Sequence, residues 1–317
     1  MVVKSTAFQV TLAGSISVKG IGVHTGEPTT AILHPADPDT GIVFLRTSLA
    51  EGDEMEIAAR WDMVSAAELC TTIGDPTKAS ATTIEHLVAA LAGLGVDNAL
   101  IELDRPEVPI LDGSSAEWVE ALDQVGLVTQ AKTRRCIRVK KAVAVTKGDS
   151  VAELLPFDGS RFDVTIDFPT PVIGRQSMSF DLTPDAFRHE VARARTFGSI
   201  KDVEKLWAMG FALGSSLENS VAIDGEKIVN PEGTRWPDEF VRHKLLDAVG
   251  DLALAGHRII GCFRSFKGGH RMNNLVLREL FSDPDNWEFV NDPSERRARG
   301  HAELPERVAV AALAPDV

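Results

Sequence analysis

The sequence predicts an α+β fold built as two similar units, and three observations carry that expectation. The chain has 317 residues, more than one hydrophobic core of ordinary size organises, which suggests two domains. Its first stretch, "FQVTLAGSISVKGIGVHTGEPTTAILHPADPDTGIVFLRT", alternates short β-like runs with Gly, Pro and Asp turns before helical patterns begin. After the basic link "TQAKTRRC" the pattern restarts. "CIRVKKAVAVTKGDSVAELLPFDGSRFDVTIDF" again reads as turn-separated strands, with helix-like segments behind it. This weak internal duplication divides the chain near residue 130 into an N-terminal unit, 1–130, and a C-terminal unit, 131–280. Residues 281–317 lose periodicity and read as a tail without catalytic groups.

Within the first unit, "ASATTIEHLVAALAGLGV" is an alanine- and leucine-rich helix stopped by glycine. "NALIELDRPEVPIL" reads as strand, turn and strand, and "SSAEWVEALDQVG" as a second helix. Ser114 and Glu117 have capping-box spacing at its start. "KGIGVHTGEP" offers the glycines of a phosphate loop. The β-like "TTAILHP" follows where a dinucleotide fingerprint needs a helix, so this is a turn between strands.

Composition narrows the function. A chain that is 44% hydrophobic and 25% charged is globular. A net charge of −13 argues against nucleic acid or anionic lipid as a partner, so any basic patch is local and built for a small anion. "MVVKSTAFQVTLAG" lacks the apolar core of a secretory signal, and no run of about 18 apolar residues marks a membrane span. Cys70, Cys136 and Cys262 are scattered without CxxC spacing. The expectation is a monomeric cytoplasmic protein.

The chemistry concentrates in "DEFVRHKLLDAVGDLAL", Asp238 to Leu254. His243, Asp247 and Asp251 recur every four residues and share one face of a helix that is apolar nearly all round. Inward charge there is expensive unless something neutralises it. His243 and Asp247 have the spacing of helical zinc ligands. One further ligand from elsewhere would complete two histidines and a carboxylate, with the fourth position left for water, as catalytic zinc sites have it. His86, in the apolar "TTIEHLVAAL", is a candidate; alone, such a histidine is more often a hydrogen-bonded core residue than a ligand. Glu85 beside it fits a capping box with Thr82. His270 follows a Gly-Gly pair in the basic loop "FRSFKGGHRMNN", and pairing with Asp251 would orient it and favour its protonated form.

These residues resemble the zinc-dependent UDP-3-O-acyl-N-acetylglucosamine deacetylases of bacterial lipid A synthesis. "GIGVHTG", "TTIEHLVAALAGLGVDNALIEL", "PILDGSSAEWV", "ARTFG", "DEFVRHKLLDAVGDLALAGHRIIG" and "KGGHRMNN" occur in that family's order, over roughly residues 8 to 280. The resemblance implies two similar α+β domains whose helices are sandwiched between two outer sheets, with the site at their interface. It implies zinc on His86, His243 and Asp247, Glu85 as general base, and His270 as acid or electrostatic partner oriented by Asp251. Thr196 would bond the developing oxyanion, and Lys244 and Phe197 would lie close to the substrate. Residues 197–224 would form a passage for the acyl chain, lined by Ile200, Ala212 and Ser216 among others, and Phe168 would contact the nucleotide. Lys244 and Lys267, with Arg264 or Arg271, would hold the diphosphate. Fe2+ is an alternative metal, because such a ligand set accepts several divalent ions. A zinc amidohydrolase for another N-acyl sugar, a metal-free dehydratase using Glu85 and His270, and a non-catalytic binding module are the competing functions.

Overall fold

The computed structural model describes residues 7–49 and 53–292. Strands Ile16–Ile21, Pro28–Pro35, Ile42–Arg46, Met55–Ala58 and Ala99–Leu103 form one sheet, the last entering between the second and third. It runs antiparallel to Pro28–Pro35 and parallel to Ile42–Arg46. The second half repeats this order. Val143–Lys147, Ser150–Leu155, Ser160–Asp167 and Arg175–Asp181 receive Arg258–Phe266 between the second and third, again antiparallel to one and parallel to the other. Strands of both sheets alternate between buried and half-exposed residues, as in "ALIEL" at 99–103 and "SRFDVTID" at 160–167, so one face of each meets the core.

Each inserted middle strand is preceded by a buried helix, Glu85–Leu94 or Glu239–Ala253, and followed by another, Ala116–Val125 or His270–Ser282. The helices lie between the sheets, and the two buried ones pack on each other at the centre. Twelve of the fifteen residues of Glu239–Ala253 are buried, which accounts for its all-round apolar sequence. The contact is close because Gly250 has no side chain: a Cβ there would lie 2.1 Å from the Glu85 carbonyl oxygen. A smaller strand–helix–strand element, Phe197–Ser199, Ile200–Ala208 and Val221–Asp224, projects from the second half with its strands parallel.

Several local expectations fail. Ala79–Thr82 is a strand paired with Thr72–Asp75, its small residues alternating inward and outward, so the first helix begins only at Glu85. Thr82 and Glu85 form no capping box, since no side chain caps that helix. Ser114 and Glu117 form none either; the Ser114 hydroxyl donates to Asp112 Oδ1 at 2.7 Å. The second strand expected in "NALIELDRPEVPIL" is only a bridge between Thr82 and Glu107. The start of the expected tail is ordered into the sheet: Trp287–Asn291 pairs antiparallel with Arg135–Val139. Residues 293–317 lie outside those described.

Candidate metal centre

The helix Glu239–Ala253 stacks His243, Asp247 and Asp251 one turn apart, and the first turn of Glu85–Leu94 brings Glu85 and His86 against them. All five are at most 5% exposed. His86 Nε2 and His243 Nε2 lie 3.5 and 3.3 Å from the same oxygen, Asp247 Oδ1. One ligand atom of each of these three residues falls within 4.8 Å of the others. His243 Nδ1 donates to the Ala194 carbonyl at 3.0 Å, which fixes the tautomer and leaves a lone pair on Nε2. Burial, reinforced by His86 and Lys244 and opposed by Asp247, pushes the His243 pKa down to about 3, so its ring is neutral.

Burial works against ionisation of Asp247, but His243, Lys244, His86 and His270 together hold its carboxyl well below the usual range. Its Oδ2 accepts from Lys244 Nζ at 2.8 Å. Its Oδ1 is buried and has no hydrogen-bond partner among the described residues. A buried, ionised, unpartnered oxygen facing two imidazole nitrogens is expensive as it stands. The donor set is one that a divalent cation satisfies. His86 Nδ1 is also buried without a partner, so that ring lacks the second anchor His243 has.

Beside this trio sit Glu85 and His270. Glu85 Oε2 accepts the Thr71 N–H at 3.1 Å, while Oε1 faces His270 Nε2 at 3.7 Å. Burial raises the Glu85 pKa, opposed by His270 and His86 and reinforced by Asp251 and Asp247. His270 Nδ1 donates to Asp251 Oδ2 at 2.8 Å. Burial disfavours charge on that imidazole, but Asp251, Glu85 and Asp247 outweigh it and raise its pKa to about 10. The ring is therefore cationic at neutral pH. Asp251 is itself held by the Thr71 hydroxyl at 2.6 Å and by Asn273 Nδ2 at 2.8 Å.

The cluster lies on a cavity of about 760 Å3 that runs from the centre to the projecting element. Glu85, His86, His243, Asp247 and His270 line one part of it, with Thr196 and Lys244. Phe168, Phe197, Ile200, Ala212 and Ser216 line the rest, in company with Val203, Leu206 and Leu217. Phe197 packs edge-on to both Phe168 and Phe240, at ring distances of 5.6 and 4.9 Å.

Residues 9–282 match the family described as UDP-3-O-acyl N-acetylglycosamine deacetylase. The chain belongs to that family. It is 50% identical over 285 residues to the UDP-3-O-acyl-N-acetylglucosamine deacetylases of Brucella ovis, Brucella canis and Brucella melitensis biotype 2. Those alignments cover 90% of this chain and 99% of each relative.

Against the residues singled out in this deacetylase-family sequence, the structure makes three changes. His270 is not in a loop; it opens the helix His270–Ser282 and is buried. Lys267 is not among the lining residues, because Asp149 and Asp167 draw its ammonium to 2.8 and 3.5 Å. Arg264 and Arg271 are likewise turned to Glu153 and Glu68, each at 3.6 Å. Two contributors escaped the sequence reading. Asn273 lies three residues after His270 on one helix face, a spacing that was available as a signal. Thr71, which holds Glu85 with its amide and Asp251 with its hydroxyl, gave none.

Proposed function

We propose that this protein hydrolyses the N-acetyl group of UDP-3-O-acyl-N-acetylglucosamine, releasing acetate, in lipid A (lipopolysaccharide) biosynthesis, and that it does so with zinc on His86, His243 and Asp247. The substrate is the one its relatives are named for. The observation that carries the metal is the orphaned Asp247 Oδ1 between two imidazole Nε2 atoms, at the end of a largely apolar cavity. When bound, a divalent cation supplies Lewis acidity to an amide carbonyl and acidifies water.

The chain's own groups do the rest. Glu85 Oε1, left free by Thr71, takes a proton from the attacking water as its oxygen bonds to the acetyl carbon. Cationic His270 and the Thr196 hydroxyl stabilise charge on the former carbonyl oxygen. Asp251 and Asn273 hold the imidazole in place. The carbon–nitrogen bond breaks as the nitrogen takes a proton, giving the free amine and acetate. Lys244 and Phe168 bind the polar and nucleotide portions, and residues 197–224 form the acyl passage. The division into two units near residue 130 has the repeated sheet order as its support.

The test is acetate release from the acylated UDP-sugar, with and without chelator, together with atomic emission on wild type and His243→Ala. Chelation should abolish turnover, and the variant should fold while losing most of about one metal per chain, as expected of a three-ligand site. Undiminished turnover after chelation would move the function to metal-free acid/base chemistry. Full metal retention in His243→Ala would remove the ligand set.

A further inference from the structure

The turn between Ile16–Ile21 and Pro28–Pro35 takes no part in the chemistry above, yet a buried carboxylate holds it. Glu107 is 1% exposed and accepts four hydrogen bonds. Its Oε1 takes the His24 N–H and the Thr83 hydroxyl, both at 2.9 Å. Its Oε2 takes the Thr25 N–H at 2.9 Å and the Thr25 hydroxyl at 2.8 Å. Gly22 makes room for it, since a Cβ there would lie 2.2 Å from Oε2. Charge buried this deeply is tolerable only when its acceptors are saturated, and here donors from two separate segments saturate them.

The turn forms part of the cavity wall through Val23 and His24. The carbonyls of these two residues accept the N–H groups of Gly214 and Leu213, in the projecting element, at 3.0 and 3.1 Å. That seam has glycine on both sides: a Cβ on Gly214 would lie 2.3 Å from the Gly22 carbonyl oxygen. The His24 ring meets Phe211 edge-on at 5.8 Å. On the other side of Glu107, Thr83 stands two residues before Glu85 in a left-handed backbone conformation, φ +57, that its bond to the carboxylate helps hold. One carboxylate therefore fixes both the wall turn and the entry to the helix bearing Glu85 and His86.

We infer that Glu107 is a positioning residue for acyl-chain length. It sets where the 22–26 turn and residues 213–214 stand relative to the metal centre, and so how much chain the passage accepts. This rests on residues 197–224 forming that passage. The experiment compares full-length, metal-loaded wild type, Glu107→Gln and Gly214→Ala on substrates of graded acyl length. Binding of the same series to metal-stripped protein is measured by calorimetry. Glu107→Gln turns a donor toward donors, and Gly214→Ala wedges the seam open.

Both variants should lower the long-to-short ratio of kcat/KM, by about fourfold for each methylene that loses its contact. The change should fall on KM and on the calorimetric affinity, and it should be larger for long chains than for short ones. A wild-type ratio in the folded variants overturns the inference. So does an equal loss at every length with a lowered melting temperature, which is what a merely structural role gives. If Glu107→Gln does not fold, Thr25→Val, which removes one of the four donors to the carboxylate, takes its place beside Gly214→Ala. A wild type indifferent to chain length removes the passage itself, and this inference with it.

Discussion

The two central helices occupy the same place in the repeated topology and do different work. Glu85–Leu94 has ten residues, ends at Gly95 in the left-handed conformation, and carries its polar groups only in its first turn. Glu239–Ala253 has fifteen and carries His243, Asp247 and Asp251 down its length. The longer helix therefore brings two of the proposed metal ligands, His243 and Asp247, and the carboxylate that bonds His270 from one rigid element. The shorter one contributes the proposed base and the third proposed ligand side by side, and their aim depends on where its end is set against its partner. The repeated scaffold loads its two copies unequally with polar groups.

Removing the proposed base breaks the comparison at its most sensitive point. Glu85→Ala should cut kcat/KM by roughly 10²–10⁴, the range of a lost general base, while metal content by atomic emission stays unchanged. Turnover at the wild-type level would leave Glu85 with only its bond to Thr71. Next is the contact between the helices. Gly250→Ala gains up to about 1 kcal/mol of helix propensity, but its Cβ meets the Glu85 carbonyl oxygen, which cannot swing away. Overpacking of about 3 kcal/mol should win, so the urea midpoint should fall; a rise would show that the helices separate freely.

Thr71→Val removes the hydroxyl on Asp251 and keeps the amide on Glu85, so it separates the two helices' polar groups. We expect kcat to drop about tenfold, the equivalent of one buried hydrogen bond, with metal retained. An unchanged rate would make Asn273 sufficient to hold Asp251. The smallest effect lies where the turns after the two helices approach each other. Burial, followed by Arg135, lowers the His257 pKa against the opposing pull of Asp97 and Asp39. The unfolded chain then binds the proton more readily, so this contribution to stability is complete above a pH of about 6.5 and declines as the pH falls below it. His257→Gln should flatten the dependence of the urea midpoint between neutral and mildly acid pH; an unchanged slope would assign it to other groups.

How far the sequence spoke for each helix follows from the same difference. The longer one was legible almost to the residue, because three polar groups at a four-residue period inside an apolar helix have few explanations. Asp238 and Leu254, its expected ends, are its two caps. The shorter one was ambiguous: an acidic residue in a first turn after a threonine is what a capping box also looks like. Thr71 could not be read at all, since it meets an aspartate 180 positions away and has no periodic pattern of its own. The strand Trp287–Asn291 was lost for a different reason. Among the described residues it pairs with one neighbouring strand and is mostly exposed, so burial imprinted little alternation on it.

The placement of His86 on one half and of His243 and Asp247 on the other has a thermodynamic corollary. An ion held by all three can be bound tightly only while the halves are docked, so occupancy and docking are linked equilibria. Saturation a thousandfold above the dissociation constant should add about 4 kcal/mol against unfolding. The gain should grow with the logarithm of free ion, and it should vanish when either half loses its share of the donors.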